Sequence, residues 1–417
     1  MAFGDQIFRQ KKTNTENTMN ARSILNNLVS FVSHKMHKTR KQAVVACVRS
    51  LIESGSATVT SMGRGIRSNA YEKHRIKRAD RLLSNGHLQR EVPFIYAMIC
   101  RLFCTCKHPV IAVDWSDLDK CKKHFLLRAA IVVKGRPITL YQEVHDRKAS
   151  AKATTHRDFL EILHTLLPDT CQPIIVTDAG YKSPWFREVQ ALRWHIVGRV
   201  RKPHLYSLDG GNEWQSIAEL YLKATTRPKR FDNALIVKSR PFACTLVLVK
   251  EKAKGRRAFN ANGSRQRDTN SLKYADGARD PWLLATSLPY HRHLSKQVID
   301  IYRQRMQIEE GFRDMKSTRF GLGYENNRST TKTRITVLVL LTTLASLVAV
   351  LLGMLLVVSN KHRRFQANTE TKSVLSFHFL GLRAFNTSMR FTLHQWKKTI
   401  RWLDELTAEA CMSKITC

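Results

Sequence analysis

The sequence feature that most limits the possible folds is an uncharged apolar run in the last quarter of the chain. Ile335–Val358 comprises 24 residues without a charged side chain, enough for one helix to cross a bilayer. Four hydroxyl residues and a glycine interrupt it, and basic residues flank both ends, so the charges specify no orientation in a membrane. A helix at the centre of a large domain is also apolar on all sides. The run therefore predicts one long helix, either a membrane span or a core helix.

The chain as a whole is strongly basic. Lys and Arg total 70 against 33 Asp and Glu in 417 residues, which gives a formal net charge of +37. On a chain with 43% hydrophobic residues, this charge predicts a folded protein whose partner is a polyanion or an anionic membrane surface. It disfavours an uncharged small-molecule substrate. The nine cysteines, an odd number without zinc-finger spacing, exclude a disulfide scaffold and predict reduced thiols in a cytosolic protein.

The spacing of apolar residues divides the chain into helical ends and a central α/β part. The N-terminal part is mainly helical, and its stretch 74–83 surrounds an apolar stripe with basic residues, which is typical of a DNA-contacting helix or of a solvated face. From residue 110 onward, strands and helices follow in the order βββαβαβ, which predicts a mixed sheet. A β-rich insertion with a basic tip at 250–273 interrupts this order. We therefore expect a polar extension (1–20), a helical region (21–107), an α/β domain (108–330) with its insertion (202–288), and a helical C-terminal region (331–417).

Two aspartates follow apolar strands in the α/β part. Asp114 comes directly after Val110–Val113, and Asp178 follows a later strand. Carboxylates at the carboxyl ends of neighbouring strands point into the crevice where open α/β sheets bind ligands. Each aspartate alone is also a common residue for closing a strand. Asp117 and Asp119 compete with Asp114, but they lie beyond the predicted strand end.

A further group of polar residues lies on one helix, which is predicted from Ser295 to about residue 318. Four residues share a stripe about 60° wide at 100° per residue: Tyr302, Arg305, Glu309 and Lys316. A surface helix with an Arg305–Glu309 ion pair would show the same spacing. Glu310 leaves the choice of acid open by spacing alone. The combination of one acid with Tyr, Arg and Lys favours a face that binds metal and phosphate.

Several motifs together resemble a known family. They are Val113–Asp117 (VDWSD), Ile175–Lys182 (IVTDAGYK), Ile301–Glu310 (IYRQRMQIEE), Gly321–Gly323 (GLG) and Phe365–Asn368 (FQAN). They resemble the bacterial DDE transposases of the insertion-sequence-four family, especially its transposon-ten group. The resemblance runs from about residue 21 to the C-terminal region. The family signature Y-(2)-R-(3)-E-(6)-K is met in full by the four residues of the helical stripe.

The resemblance implies an α/β fold with an RNase H-like mixed-sheet catalytic core, a β-rich insertion, and helical N- and C-terminal flanking regions. It makes Ile335–Val358 a core helix, so that no membrane partner is expected. It assigns Asp114, Asp178 and Glu309 as catalytic residues and metal ligands, with Glu309 rather than Glu310 as the acid. The implied cofactor is Mg²⁺ at a two-metal site, where Mn²⁺ is expected to substitute.

The resemblance also implies a cut-and-paste DNA transposase of the bacterial cytoplasm, associated with the nucleoid. Its partner would be double-stranded DNA, both transposon ends and target, with a dimer in the synaptic complex. Residues 21–107 would bind terminal inverted repeats, and the ends would be cleaved through a hairpin and joined to the target. Tyr302, Arg305 and Lys316 would contact DNA, and Trp282 would stack on a flipped base or serve only as a core residue. A catalytically inactive DNA-binding relative and another RNase H-like nuclease are the alternatives.

Overall fold

The computed structural model describes residues 18–133, 135–149, 152–251, 280–370, 372 and 374–410. The chain divides into two compact units. The first unit comprises Met1–Pro173 together with Met306–Cys417, and the second comprises Ile174–Arg305. Most of the predicted polar extension and of the predicted basic tip lies outside the described residues.

The first unit begins with a short strand and a series of helices. Their bounds are β1 (Thr18–Asn20), α1 (Ala21–Val32), α2 (Lys38–Ser54), α3 (Val59–Gly65), α4 (Glu72–Leu83) and α5 (Gly86–Phe103). The side chain of Asn20 caps α1 by accepting the N–H of Ser23 at 2.9 Å. Helices α3 and α4 cross very closely, because a Cβ on Gly63 would lie 2.3 Å from the Cα of Ile76. Only glycine allows this crossing.

An antiparallel sheet follows in the same unit. Its strands are β2 (Val110–Asp117), β3 (His124–Ile131) and β4 (Ile138–Asp146), and helix α6 (Ala153–Leu166) comes next. Strand β2 extends beyond the apolar run, because its pairing with β3 continues as far as Asp117 opposite Phe125. Asp114 therefore lies inside the strand, opposite Arg128, and the prediction that it ends the strand is wrong.

The second unit contains a mixed sheet. Its elements are β5 (Ile174–Thr177), α7 (Ser183–Ala191), β6 (His195–Val200), β7 (Leu205–Ser207), β8 (Gln215–Ser216), α8 (Ile217–Leu222), β9 (Lys229–Ile236), β10 (Phe242–Val249), β11 (Trp282–Thr286) and α9 (Leu294–Gln304). The strand order is β5-β6-β11-β10-β9-β7-β8, in which only β5 and β6 are parallel. The β-rich segment predicted as an insertion thus extends the sheet of β5 and β6 through the β6–β11 pair.

The chain then returns to the first unit. The elements are α10 (Met306–Lys316), α11 (Lys332–Val358), α12 (Phe377–Phe385), β12 (Arg390–Thr392) and α13 (Leu393–Ala410). The prediction of one helix from Ser295 to about residue 318 is wrong, because α9 and α10 are separate. Between them, the N–H of Arg305 donates to the carbonyl of Tyr302 at 3.1 Å, a tight i→i−3 turn. The predicted stripe is therefore divided between the two units.

Helix α11 forms the centre of the first unit. It is long and apolar enough to cross a membrane, yet 89% of its most apolar window is buried inside the structure. Helix α12 packs against it at two glycines. A Cβ on Gly353 would lie 1.8 Å from the carbonyl oxygen of Phe377, and a Cβ on Gly381 would lie equally close to that of Ala349. The helices therefore meet backbone to backbone.

Most cysteines of the described residues carry free thiols. These are Cys47, Cys100, Cys104, Cys121, Cys171 and Cys244. Cys106, by contrast, is disulfide-bonded, so the prediction of reduced thiols throughout the chain is wrong at this position.

Candidate active site

Asp114 occupies the point on β2 where buried side chains give way to accessible ones. The four residues before it are buried, whereas Asp114 and the two after it are partly exposed. The main-chain N–H of Trp115 donates to Asp114 Oδ1 at 2.8 Å, which helps to fix the carboxylate. A partly exposed carboxylate at the edge of a core can reach both water and a metal ion.

The two competing aspartates nearby have other contacts. Asp117 Oδ1 lies 2.5 Å from the ammonium nitrogen of Lys316, so its charge is compensated. The carboxylate of Asp119 accepts the main-chain N–H groups of Lys123 and His124 at 3.0 and 2.9 Å. Although burial opposes the shift, these hydrogen bonds lower the pKa of Asp119. Asp119 thus closes a turn, and Asp117 holds a lysine of the predicted signature.

Glu309 and Glu310 differ clearly in their surroundings. Glu309 is exposed in the first turn of α10, and α10 packs against β2 within the first unit. Glu310 is half-buried and forms an ion pair with Arg313, and its Oε2 lies 3.6 Å from Arg136 Nη2. Glu309 is therefore the more accessible acid for a metal or substrate. Its assignment as the catalytic acid stays a prediction.

Two arginines that no sequence pattern had indicated, the buried Arg128 and the half-buried Arg136, hold α10 against the sheet. Arg128 donates from Nε to Gln142 Oε1 at 2.8 Å, and its guanidinium lies 4.6 Å from the ring centroid of Phe312. Burial lowers the pKa of Arg128 to about 10. Arg136 Nε lies 2.6 Å from Asp314 Oδ2. An Arg within the otherwise apolar stretch of β3 was the available signal.

In the second unit, Asp178 follows β5 directly. Its Oδ1 accepts the main-chain N–H of Gly180 at 2.8 Å. Tyr302 is buried, which raises its pKa, and the field of Asp178 acts in the same direction. The positive charges of Arg305 and Arg199 oppose this shift. Because the charges of Asp178 and Arg305 affect the pKa of Tyr302, these three residues of the second unit lie near each other.

Arg199 and Arg201, at the end of β6, are further cations that no sequence motif had indicated. Arg199 is only 7% exposed and donates from Nη2 to the carbonyl of Asp280 at 3.0 Å. Burial lowers its pKa, while Tyr302 opposes this shift. Within the described part of the chain, the Nε atoms of Arg199 and Arg201 are buried without a hydrogen-bond partner. Guanidinium groups that keep an unused Nε–H donor beside Tyr302 are suited to bind an anion.

Trp282 is half-buried at the start of β11. Its ring meets the ring of Tyr302 edge to face, with centroids 4.9 Å apart. It therefore packs on a residue of the predicted signature and keeps part of its surface accessible. This environment is compatible with stacking on a base and with a packing role.

The acids of this chain offer only oxygen ligands, which suit Mg²⁺. Asp114 and Glu309 lie on neighbouring elements of the first unit, and Asp178 lies in the second. Across the described ranges, no three His, Cys, Asp or Glu side chains form a ready metal-binding group. Mg²⁺ commonly completes its coordination with water and substrate phosphate, so the donor chemistry fits this ion.

Comparison with known protein families matches residues 105–348 to the transposase DDE domain. The match covers more than half of the chain and includes Asp114, Asp178 and Glu309. No curated protein matches the chain.

Proposed function

The chain belongs to the family of transposase DDE domains, and on that premise we propose that it is a cut-and-paste DNA transposase. It would be an insertion-sequence-four enzyme of the transposon-ten group, with an RNase H-like core. One observation carries the proposal: the matched family segment contains the whole predicted signature, and its Tyr302 and Arg305 adjoin the buried cation Arg199. The reaction would need both phosphate binding and metal ligands, and the signature residues would supply both.

We assign the metal ligands to the three acids. Asp114, Asp178 and Glu309 would hold two Mg²⁺ ions, which when bound stabilise negative charge on the reacting phosphate; Mn²⁺ is expected to substitute. The exposed carboxylate of Glu309 and the partly exposed one of Asp114 are accessible for this purpose. Asp178 keeps one oxygen engaged by the N–H of Gly180, which fixes its orientation.

The cations and Tyr302 would position the DNA strand. The guanidinium of Arg305 lies 5.9 Å from the ring centroid of Tyr302, so both can face one phosphate. Arg199 adds buried positive charge to this group, and guanidinium groups bind phosphate oxygens strongly. Lys316 would bind a second phosphate. Because Asp117 occupies only one of the three N–H donors of its ammonium, the others can reach DNA.

The proposed reaction begins with water attacking the phosphodiester at the transposon end, which releases a 3′-OH. This hydroxyl attacks the opposite strand, forms a hairpin and expels the flanking DNA. Water then opens the hairpin, and the regenerated 3′-OH attacks target DNA. In the hairpin, Trp282 would stack on a base flipped out of the helix, and stacking of this kind contributes about 1–3 kcal/mol.

The N-terminal helices would bind the terminal inverted repeats. Helix α4 buries Ala79, Leu82 and Leu83, and its opposite side exposes a row of basic residues: Lys73, His74, Lys77 and Arg81. A groove of about 530 Å³ runs between this helix and the start of α2. A short helix followed by a basic helix in tight contact is suited to enter the major groove of DNA.

We further propose a dimer in the synaptic complex and action at the nucleoid in the bacterial cytoplasm. Burial of α11 supports a core role rather than a membrane span. A catalytically inactive DNA-binding relative and another RNase H-like nuclease are the competing functions. The complete Tyr-Arg-Glu-Lys signature disfavours the nuclease, and the presence of Asp114, Asp178 and Glu309 disfavours the inactive relative.

The test uses a supercoiled plasmid in which the DNA ends that flank this gene enclose a marker. Purified protein and Mg²⁺ are added, and the products are resolved on a gel. Excised linear transposon is the expected result. Random nicking would favour the nuclease, and a mobility shift without any cleavage would favour the inactive relative.

A further inference from the structure

A polar cleft of about 410 Å³ lies in the first unit, apart from the acids. One wall is Thr58–Thr60 at the start of α3, and the other consists of residues 326–330 with Arg334, in and after the segment that links α10 to α11. Every lining residue except Val59 is polar, and none is acidic. Hydroxyl, amide and guanidinium donors therefore dominate its surface.

The two walls are fixed to each other by the backbone. The N–H of Ala57 donates to the carbonyl of Leu322 at 2.8 Å. Gly323 adopts a left-handed conformation, with φ of 61°, and a Cβ there would lie 2.5 Å from the carbonyl oxygen of Gly55. Only glycine fits at this position. The cleft is thus a built feature of the fold and not a gap between loose loops.

The charge of the cleft is positive and partly uncompensated. Arg334 is held by Asp80, with 2.6 Å between Nη2 and Oδ1. Arg328 is exposed, and no carboxylate of the described residues forms an ion pair with it. The nearby Glu325 accepts the N–H of Thr318 at 2.8 Å and does not line the cleft. An anion with several acceptor oxygens can use Arg328 and the neutral donors together.

We propose that this cleft binds backbone phosphates of the transposon-end duplex, with Arg328 as the charged contact and the hydroxyl of Thr60 as a neutral one. The inference rests on the proposed function, because that function supplies the DNA. One wall begins α3, which packs on the basic helix α4, and the other follows the helix that carries Glu309 and Lys316. Phosphates bound here would link recognition of the transposon end to α10, the helix that carries the predicted catalytic acid Glu309.

The experiment measures binding of the full chain to a labelled duplex of the transposon end across a series of salt concentrations. Arg328→Gln should weaken binding and reduce the slope of log K against log salt by about 0.9, the value for one phosphate contact. Thr60→Val should weaken binding by about threefold to tenfold and leave the slope unchanged, because it removes a neutral donor. Arg401→Gln, an exposed arginine on α13 outside the cleft, is the control for charge.

The outcomes separate the two proposals. If wild-type protein fails to bind the duplex at low salt, the transposase proposal and this inference both fail. If wild-type protein binds but Arg328→Gln behaves like Arg401→Gln, or keeps the full slope, only the cleft is wrong. A loss that occurs with duplex RNA and not with DNA would identify RNA as the occupant and also refute the proposal. Melting curves of the variants should match that of wild-type protein, since these side chains are exposed.

Discussion

Replacing Asp314 with asparagine tests how α10 is held in place. Asp314 is buried, and its carboxylate lies 2.6 Å from Arg136 Nε and 3.9 Å from His378 Nδ1. The side chains of Arg136 and Asp314 are only 16% and 7% exposed, so the substitution leaves a nearly buried guanidinium without its main partner. Removing one member of such a pair costs about 3–5 kcal/mol. Glu310, at 3.6 Å from Arg136, can compensate in part, so we expect about 3 kcal/mol.

The exposed pair Arg64–Glu72 is a matched control. Its side chains are 62% and 52% exposed, and pairs of this kind contribute about 0–1 kcal/mol. Unfolding in urea, followed by circular dichroism, should therefore show a much lower midpoint for Asp314→Asn than for Glu72→Gln. Equal and small losses in the two variants would refute the reasoning. Replacing Arg136 and Asp314 together with methionine and leucine should recover part of the stability, because neither an unpaired guanidinium nor an unpaired carboxylate of this pair then remains.

Further predictions concern chemistry, DNA and pH. Alanine at Asp114, Asp178 or Glu309 should abolish nicking while duplex binding survives in a mobility-shift assay; full cleavage by any variant removes that residue from the site. Trp282→Ala should leave the first nick nearly unchanged and slow the hairpin steps by about tenfold to a hundredfold, and an equal loss at every step would indicate a packing role. Burial, with His145 adding to it, lowers the pKa of His156 to about 4, so the unfolded state takes up the proton first. Stability should fall as the pH drops from 6.5 towards 4, and His156→Gln should flatten this fall in urea midpoints measured at each pH.

Much of the fold could be predicted, because buried helices and strands leave a strong pattern of apolar residues in the sequence. Strand β2 begins at Val110, where the strands were expected to start, and α11 includes the whole uncharged run. The split between α9 and α10 could not be predicted, because the sequence remains helical in pattern through Arg305 and the break is one i→i−3 hydrogen bond. The extension of β2 to Asp117 also escaped prediction, since it depends on pairing with β3.

Candidate site residues could be named from the sequence where they share one helix or follow apolar strands, and their roles stay predictions. The contacts of Arg128 and Arg136 were not, because their partners on α10 lie far along the chain. The same holds for Arg199, whose environment depends on Tyr302 and Asp280. Spacing identifies which side chains can share one element, whereas long-range packing decides which charges are buried and what neutralises them.

The burial of α11 has a consequence while the chain is being synthesised. This helix emerges from the ribosome before α12 and α13, the later helices that cover it in the finished protein. During that interval the most apolar 18-residue window of this helix, with a mean hydropathy of 2.7, is as apolar as a membrane span. A copy of the gene interrupted before Phe377 would lack α12 and α13 and leave part of this helix uncovered permanently. Such a fragment should associate with chaperones or membranes, so frameshifts late in the gene should remove the protein as effectively as early ones.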